Sequence, residues 1–238
     1  MRIFPFAWAV ENRQWEKAAR CAATGNGTSW TGKGGMKSVK LAKVEYDFPS
    51  DPRGWNGIAL VGEAPGAEEV KRGHPFVGPS GERLKKILED AGIDRYRCLV
   101  ANVFRYQPPG NKVYHFFISR RGAKQQSLAI AEEFGPFGKW SYCRSEFAAE
   151  IICLRDTLEA MKKRGPKMIL IALGRTPSWA LTGENELLKK LGKPFPCRLL
   201  PGTVVIPTFH PGFILRGNQH REKEWLGHFL AAQNYGGS

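Results

Sequence analysis

Regular patterning of apolar positions begins at Gly57. Ile58-Ala59-Leu60-Val61 is a short apolar run bounded by glycines, the pattern of a strand buried on both faces. Leu84, Ile87 and Leu88 recur at helical spacing, predicting a helix over Glu82 to Ala91 that stops at Gly92. Further strands are expected at Arg97 to Phe104, Lys167 to Leu173 and Thr203 to Phe209. Helices are expected at Ser145 to Lys163, Thr176 to Leu181 and His220 to Gln233. Such alternation predicts an α/β fold: a three-layer α/β/α sandwich around a short, mainly parallel central sheet. Ligands of such sheets bind at the carboxyl ends of the strands. The informative loops are therefore Gly62 to Gly81, Asn102 to Pro109 and His210 to Arg216.

Two stretches break the pattern. Residues 1–50 read as an N-terminal extension, with a short helix at Trp15 to Cys21 and a Gly/Ser/Thr/Lys-rich loop at Gly25 to Gly35. Residues 106–145 are too long for an ordinary connection and read as an insertion in a single domain spanning 1–238. The insertion carries Lys112, Arg120, Arg121, Lys124, Lys139 and Arg144 among Tyr114, Phe116, Phe117, Phe134, Phe137 and Trp140. Basic residues interleaved with aromatics suit an element facing DNA, and suit equally a basic element that fills space within the fold.

Charge narrows the partner. Lys and Arg number 36 against 22 Asp and Glu, a formal net charge of +14, which points to an anionic partner and first to nucleic acid. The five cysteines are dispersed and no CxxC occurs, so neither a disulfide framework nor a zinc ribbon is expected. With no membrane span and an N-terminal apolar run broken by Pro5, a cytoplasmic protein without a membrane partner is expected.

The loops carry the chemistry. Gly62-Glu63-Ala64-Pro65-Gly66 is a weak signal alone, since small residues and proline simply permit a sharp turn. It becomes specific with Gly73-His74-Pro75-Phe76-Val77-Gly78-Pro79-Ser80-Gly81, then Ala101-Asn102-Val103, then Phe209-His210-Pro211-Gly212-Phe213. In this order the motifs resemble the uracil-DNA glycosylase superfamily, and most of all its family 4 type, over roughly residues 57–109 and 150–217. The resemblance implies a monomeric enzyme that flips uracil out of DNA, single- or double-stranded, and hydrolyses its glycosidic bond without a diffusible cofactor.

The same resemblance distributes roles. Cleaving the N-glycosidic bond builds positive charge on the sugar and negative charge on uracil, which calls for a carboxylate near the one and a donor near the other. Glu63, with the backbone of Ala64, would position the attacking water, although the superfamily's better-known aspartate falls at Ala64. His210 would donate to the uracil anion. Phe76 would stack on the base, Asn102 would read its edge, and Glu69 would fill the space beside C5, with Gly62 at the pocket. Pro211, Gly212, Phe213, Ile214, Leu215 and Arg216 resemble the loop that enters the minor groove, with the wedge among Phe213 to Leu215 and Arg216 on phosphate.

The chain departs from the family 4 type in its cysteines. That type holds a [4Fe–4S] cluster on four, two of them in an N-terminal CxxC. Here the third place is Tyr106 and only Cys153 matches the fourth, so no metal is expected. His115 raises the alternative of covalent trapping of the deoxyribose, but the basic tetrad of the trapping branch is absent. A non-catalytic DNA-binding relative and a glycosylase for another deaminated base are the remaining alternatives.

Overall fold

A computed structural model describes residues 29–30 and 39–236; the expected helix at Trp15 to Cys21 lies outside them. The strands among the described residues are β1 (Ser29–Trp30), β2 (Val39–Lys40), β3 (Ile58–Gly62), β4 (Leu99–Asn102), β5 (Phe117–Ser119), β6 (Ser141–Cys143), β7 (Ile169–Leu173), β8 (Phe195–Pro196) and β9 (Val204–Thr208). Helices among the described residues are α1 (Ala67–Arg72), α2 (Pro79–Asp90), α3 (Arg120–Gln126), α4 (Ser145–Lys162), α5 (Arg175–Thr182), α6 (Pro211–Leu215) and α7 (Glu222–Gly236).

The central sheet has the order β4-β3-β7-β9-β8, parallel except for the β8–β9 pair at one edge. Its apolar strands are buried on both faces, and alternate residues feed two separate cores. Ala59, Val61, Leu99, Ala101, Leu170 and Ala172 pack against α4 and α5 through Phe147, Ile151, Leu154, Leu158 and Trp179. Ile58, Leu60, Val100, Ile169 and Ile171 pack against α2 and α7 through Leu84, Ile87, Leu88, Trp225 and Phe229. The expected three-layer sandwich is therefore present. The chain passes from β3 to β4 on one side and returns to β7 on the other, which puts a topological switch at the carboxyl end of β3.

Several short elements were not visible in the pattern. Within the expected loop 25–35, Ser29–Trp30 pairs with Val39–Lys40. Residues 41–50, assigned to the extension, run antiparallel along β4, with hydrogen bonds from Val44 N to Arg105 O and from Asp47 N to Val100 O. A polar edge that would otherwise be open is thereby covered. The insertion contains the β5–β6 pair and α3, and its phenylalanines mostly turn inward. Phe116 and Phe117 pack with Phe104 and Phe147, and Phe117 stacks on Phe137 with ring centroids 4.3 Å apart. Tyr114 and Trp140 remain exposed. No helix among the described residues is long and apolar enough to cross a membrane.

One buried ion pair ties the exit of β4 to α4. Arg105 donates from Nε to Glu150 Oε2 at 2.8 Å and from Nη2 to Oε1 at 2.9 Å, and its Nη1 reaches Glu45 at 3.1 Å. The Arg105 backbone N–H also donates to Glu150, at 3.1 Å. The side chains of Arg105 and Glu150 are only 2% and 6% exposed, so removing Glu150 takes the bidentate partner from a guanidinium in a dry site and leaves it the more exposed Glu45. Glu150→Ala should cost about 3–5 kcal/mol, read from urea unfolding; a loss under about 1 kcal/mol would put the pair on the level of a surface salt bridge.

Candidate active site

Four parallel strands end at one rim, and each contributes to a cavity of about 450 Å³. From β3 come Glu63, Ala64, Pro65 and Gly66, and from β4 comes Asn102. Gly174 and Arg175 enter from β7, and His210 with Arg216 from beyond β9. Glu69 on α1 and Phe76 before α2 line it as well. Of the residues expected at the site, Glu63, Ala64, Glu69, Phe76, Asn102, His210 and Arg216 thus share one cavity.

Gly62 lies beneath it, and its lack of a side chain is what lets the others meet. It pairs in register with Asn102, and a Cβ at Gly62 would collide with both Asn102 Oδ1 and the Phe76 ring. Phe76 itself has φ 53°, unusual for a bulky residue, and its ring is buried. Such strain costs of order 1–3 kcal/mol and persists where surrounding structure enforces it. Here α2 enforces it, because Gly81 packs directly against the Phe76 carbonyl.

Glu63 accepts a 2.5 Å hydrogen bond from Thr176 Oγ1. Burial raises its pKa above the usual carboxylate range, and Thr176 and then Arg175 oppose that shift. Gly174, at φ 107°, makes the tight turn from β7 into α5 and passes close to His210 Cβ. His210 caps α6: its Nδ1 accepts from the Gly212 N–H at 3.0 Å. That contact assigns the imidazole proton to Nε2. Burial, with Arg216 nearby, pushes the His210 pKa down to about 4, so the ring is neutral at pH 7.

Glu69 accepts from the Gly66 N–H at 3.1 Å and so caps α1 while facing the cavity. The segment 211–216 departs from the expected exposed loop. It is a single helical turn in which Pro211, Gly212 and Ile214 are buried. Ile214 faces the α2–α7 core, and Phe213 stacks on Phe209 at 5.2 Å. Leu215 and Arg216 are the exposed pair of this stretch.

Arg175 and Thr176 were missed in the sequence. The rule that flagged the loops after β3, β4 and β9 applies equally to the end of β7, where Gly174-Arg175-Thr176 stands. Asn111 and Pro108, from the insertion's first turn, also line the cavity. Among the described residues no cluster of three or more His, Cys, Asp or Glu is placed to hold a metal ion.

The geometry agrees with comparisons to known proteins. The Uracil DNA glycosylase superfamily pattern matches residues 56–232, and the chain belongs to that superfamily. It is similar to the type-4 uracil-DNA glycosylase of Thermotoga maritima, with 30% identity over 164 residues, 68% of each chain. The type-4 enzyme of Pyrobaculum aerophilum is 43% identical over 56 residues, covering 24% of this chain and 29% of the relative. That of Archaeoglobus fulgidus is 42% identical over 55 residues, covering 23% and 28%.

The neutral state of His210 is measurable. Its folded pKa of about 4 lies below the ordinary 6.5, so between those values the unfolded chain binds a proton that the folded chain refuses. The contribution is complete above pH 6.5 and is lost as pH falls toward 4. His210→Asn keeps an acceptor for the Gly212 N–H and removes the titration. The stability of the parent relative to this variant should therefore decline over that window, by up to about 1.4 kcal/mol per pH unit. Urea unfolding at several pH values checks this, and a flat difference would mean an ordinarily solvated histidine.

Proposed function

We propose that the protein excises uracil from DNA by hydrolysing the bond between C1′ and N1, leaving an abasic site in base-excision repair. The observation that carries the reading is the convergence of Glu63, Phe76, Asn102 and a neutral, Nε2-protonated His210 on one cavity. A flipped uracil stacks on Phe76. Asn102 donates from its NH₂ to O4 and accepts from N3–H, a pairing only an amide makes in both directions. Glu69 sits beside C5 and disfavours the methyl group of thymine. As the glycosidic bond breaks, its electron pair moves onto uracil, and the His210 Nε2–H donates to O2. The Glu63 carboxylate, fixed by Thr176, orients a water at C1′ and offsets the positive charge of the sugar. Oxygen from water bonds to C1′, and the proton released balances the uracil anion.

On the DNA side, Leu215 is the wedge that fills the space of the flipped base, and Arg216 meets a phosphate. The chain works as one domain, with 41–50 serving as an edge strand of the fold.

The test is strand cleavage by alkali after incubation with a uracil-containing oligonucleotide, with single-turnover rates and equilibrium binding measured separately. His210→Ala should slow excision about 100- to 1000-fold while leaving binding near parental. Asn102→Asp should lose uracil recognition by about 1–3 kcal/mol or more, since an acceptor then faces O4. Parental rates in His210→Ala would overturn the assigned donor.

We further infer that no iron–sulfur cluster is held. A cubane needs about four thiolates, and the chain contains no CxxC. The four described cysteines are outside any disulfide and buried, with Cys98 in the core opposite that of Cys143, Cys153 and Cys197. Tyr106, at the family's third ligand place, is itself packed in the core. Purified protein should be colourless and free of stoichiometric iron; about four irons per chain, as one cubane carries, would overturn this.

A further inference from the structure

The insertion points two aromatic side chains outward while burying its phenylalanines. Trp140 is 70% exposed and Tyr114 57%, unusual for side chains of this size. Neither sits in a loosely held stretch. The turn before Trp140 is closed by a 2.6 Å hydrogen bond from Phe137 N to Ser141 O. Asn185 clamps it from outside, accepting from the Gly138 N–H at 2.6 Å and donating to Pro136 O at 3.0 Å. Phe137 anchors it by stacking on Phe117.

The turn is also attached to the cavity. The Arg175 guanidinium, which lines the cavity, lies 4.6 Å above the Phe137 ring and presses against Gly138. Trp140 is two residues further along, with the Lys139 ammonium 5.2 Å from its ring centre. At the insertion's other end, Pro108 and Asn111 line the same cavity, and Tyr114 follows in the next helical turn, its ring against His115. Thus an element anchored beside the pocket offers aromatic faces to solvent together with nearby cations.

We propose that this element is a stacking platform for unpaired bases next to the flipped uracil, which makes single-stranded DNA the preferred substrate form. In a duplex both faces of each base are already covered by neighbours, so an exposed indole has no face to meet. In a single strand every base offers one, and nearby cations track the phosphates. This deepens the uracil-excision reading and rests on it for the identity of the flipped base, but not for the stacking itself.

Fluorescence anisotropy with a uracil-free thymidine single strand and with a matched duplex separates the two claims, alongside excision from both forms. Trp140→Ala should weaken single-strand binding about 5- to 150-fold, the loss expected for one stacked base, with duplex binding little changed. Trp140→Phe should restore most of the loss, and Trp140→Leu, which keeps bulk without a π face, should not. The proposal is overturned if Trp140→Ala binds single strands like the parent, if single-strand and duplex binding fall equally, or if the substitution only abolishes self-association. A parent that leaves uracil in place while showing the Trp140-dependent preference would sink the excision reading and leave the platform standing.

Discussion

The site depends on a missing side chain at the last residue of β3. In a parallel pair, residues in register lie side by side, and Gly62 lies beside Asn102 at the common carboxyl edge. A Cβ there would occupy the space of both the Asn102 amide oxygen and the Phe76 ring. Glycine at this position allows an amide and an aromatic ring to converge over a strand end that would otherwise be covered. The strained backbone of Phe76 completes the arrangement, since its left-handed conformation directs the ring back over β3 and α2 prevents relaxation. Misplacing such groups by about 1 Å can cost on the order of 100-fold in rate, which makes the close approach functional as well as structural.

The same enclosure sets two protonation states in opposite directions. Burial raises the Glu63 pKa and lowers that of His210, because in each case it opposes the charged form. For Glu63, the Thr176 hydrogen bond and then Arg175 counter the rise without reversing it. For the imidazole, the Gly212 N–H claims Nδ1 and leaves a proton on Nε2. The cavity therefore offers a hydrogen-bonded carboxyl group on one side and a neutral donor on the other. This is the division needed where opposite charges develop on the two halves of a breaking bond.

Strands buried on both faces announced themselves as continuous apolar runs, and the three layers followed from their alternation with helices. Glu63, Asn102 and His210 were legible because motif order placed each at a strand end, and Phe76 because its motif follows the first of these. Arg175 and Thr176 were not, since Gly-Arg-Thr carries no signature until the end of β7 is seen beside Glu63. Helix α1 was hidden because none of its six residues is buried, so no apolar period marks it. Within 211–216, sequence could not separate Ile214 from Leu215. One turn of helix sends the first into the core and the second outward, and that rotation is fixed by the His210 cap and by Phe209–Phe213 stacking.

The insertion sends its aromatic side chains in two directions. Its inward phenylalanines extend the core around Phe104 and Trp179, whereas its outward aromatics flank the cavity. Beneath it, the Arg105–Glu150 pair links two segments of particular interest. Arg105 immediately precedes Tyr106, and Glu150 stands one helical turn before Cys153. These are the segments at which the family resemblance would put two cluster ligands. Here the exit of β4 and α4 are held together by a bidentate guanidinium–carboxylate contact, which fixes angle as well as distance. Arg105 lies three positions beyond Asn102, and its backbone N–H donates to the same carboxylate, at 3.1 Å. The ion pair therefore constrains the main chain that leaves Asn102.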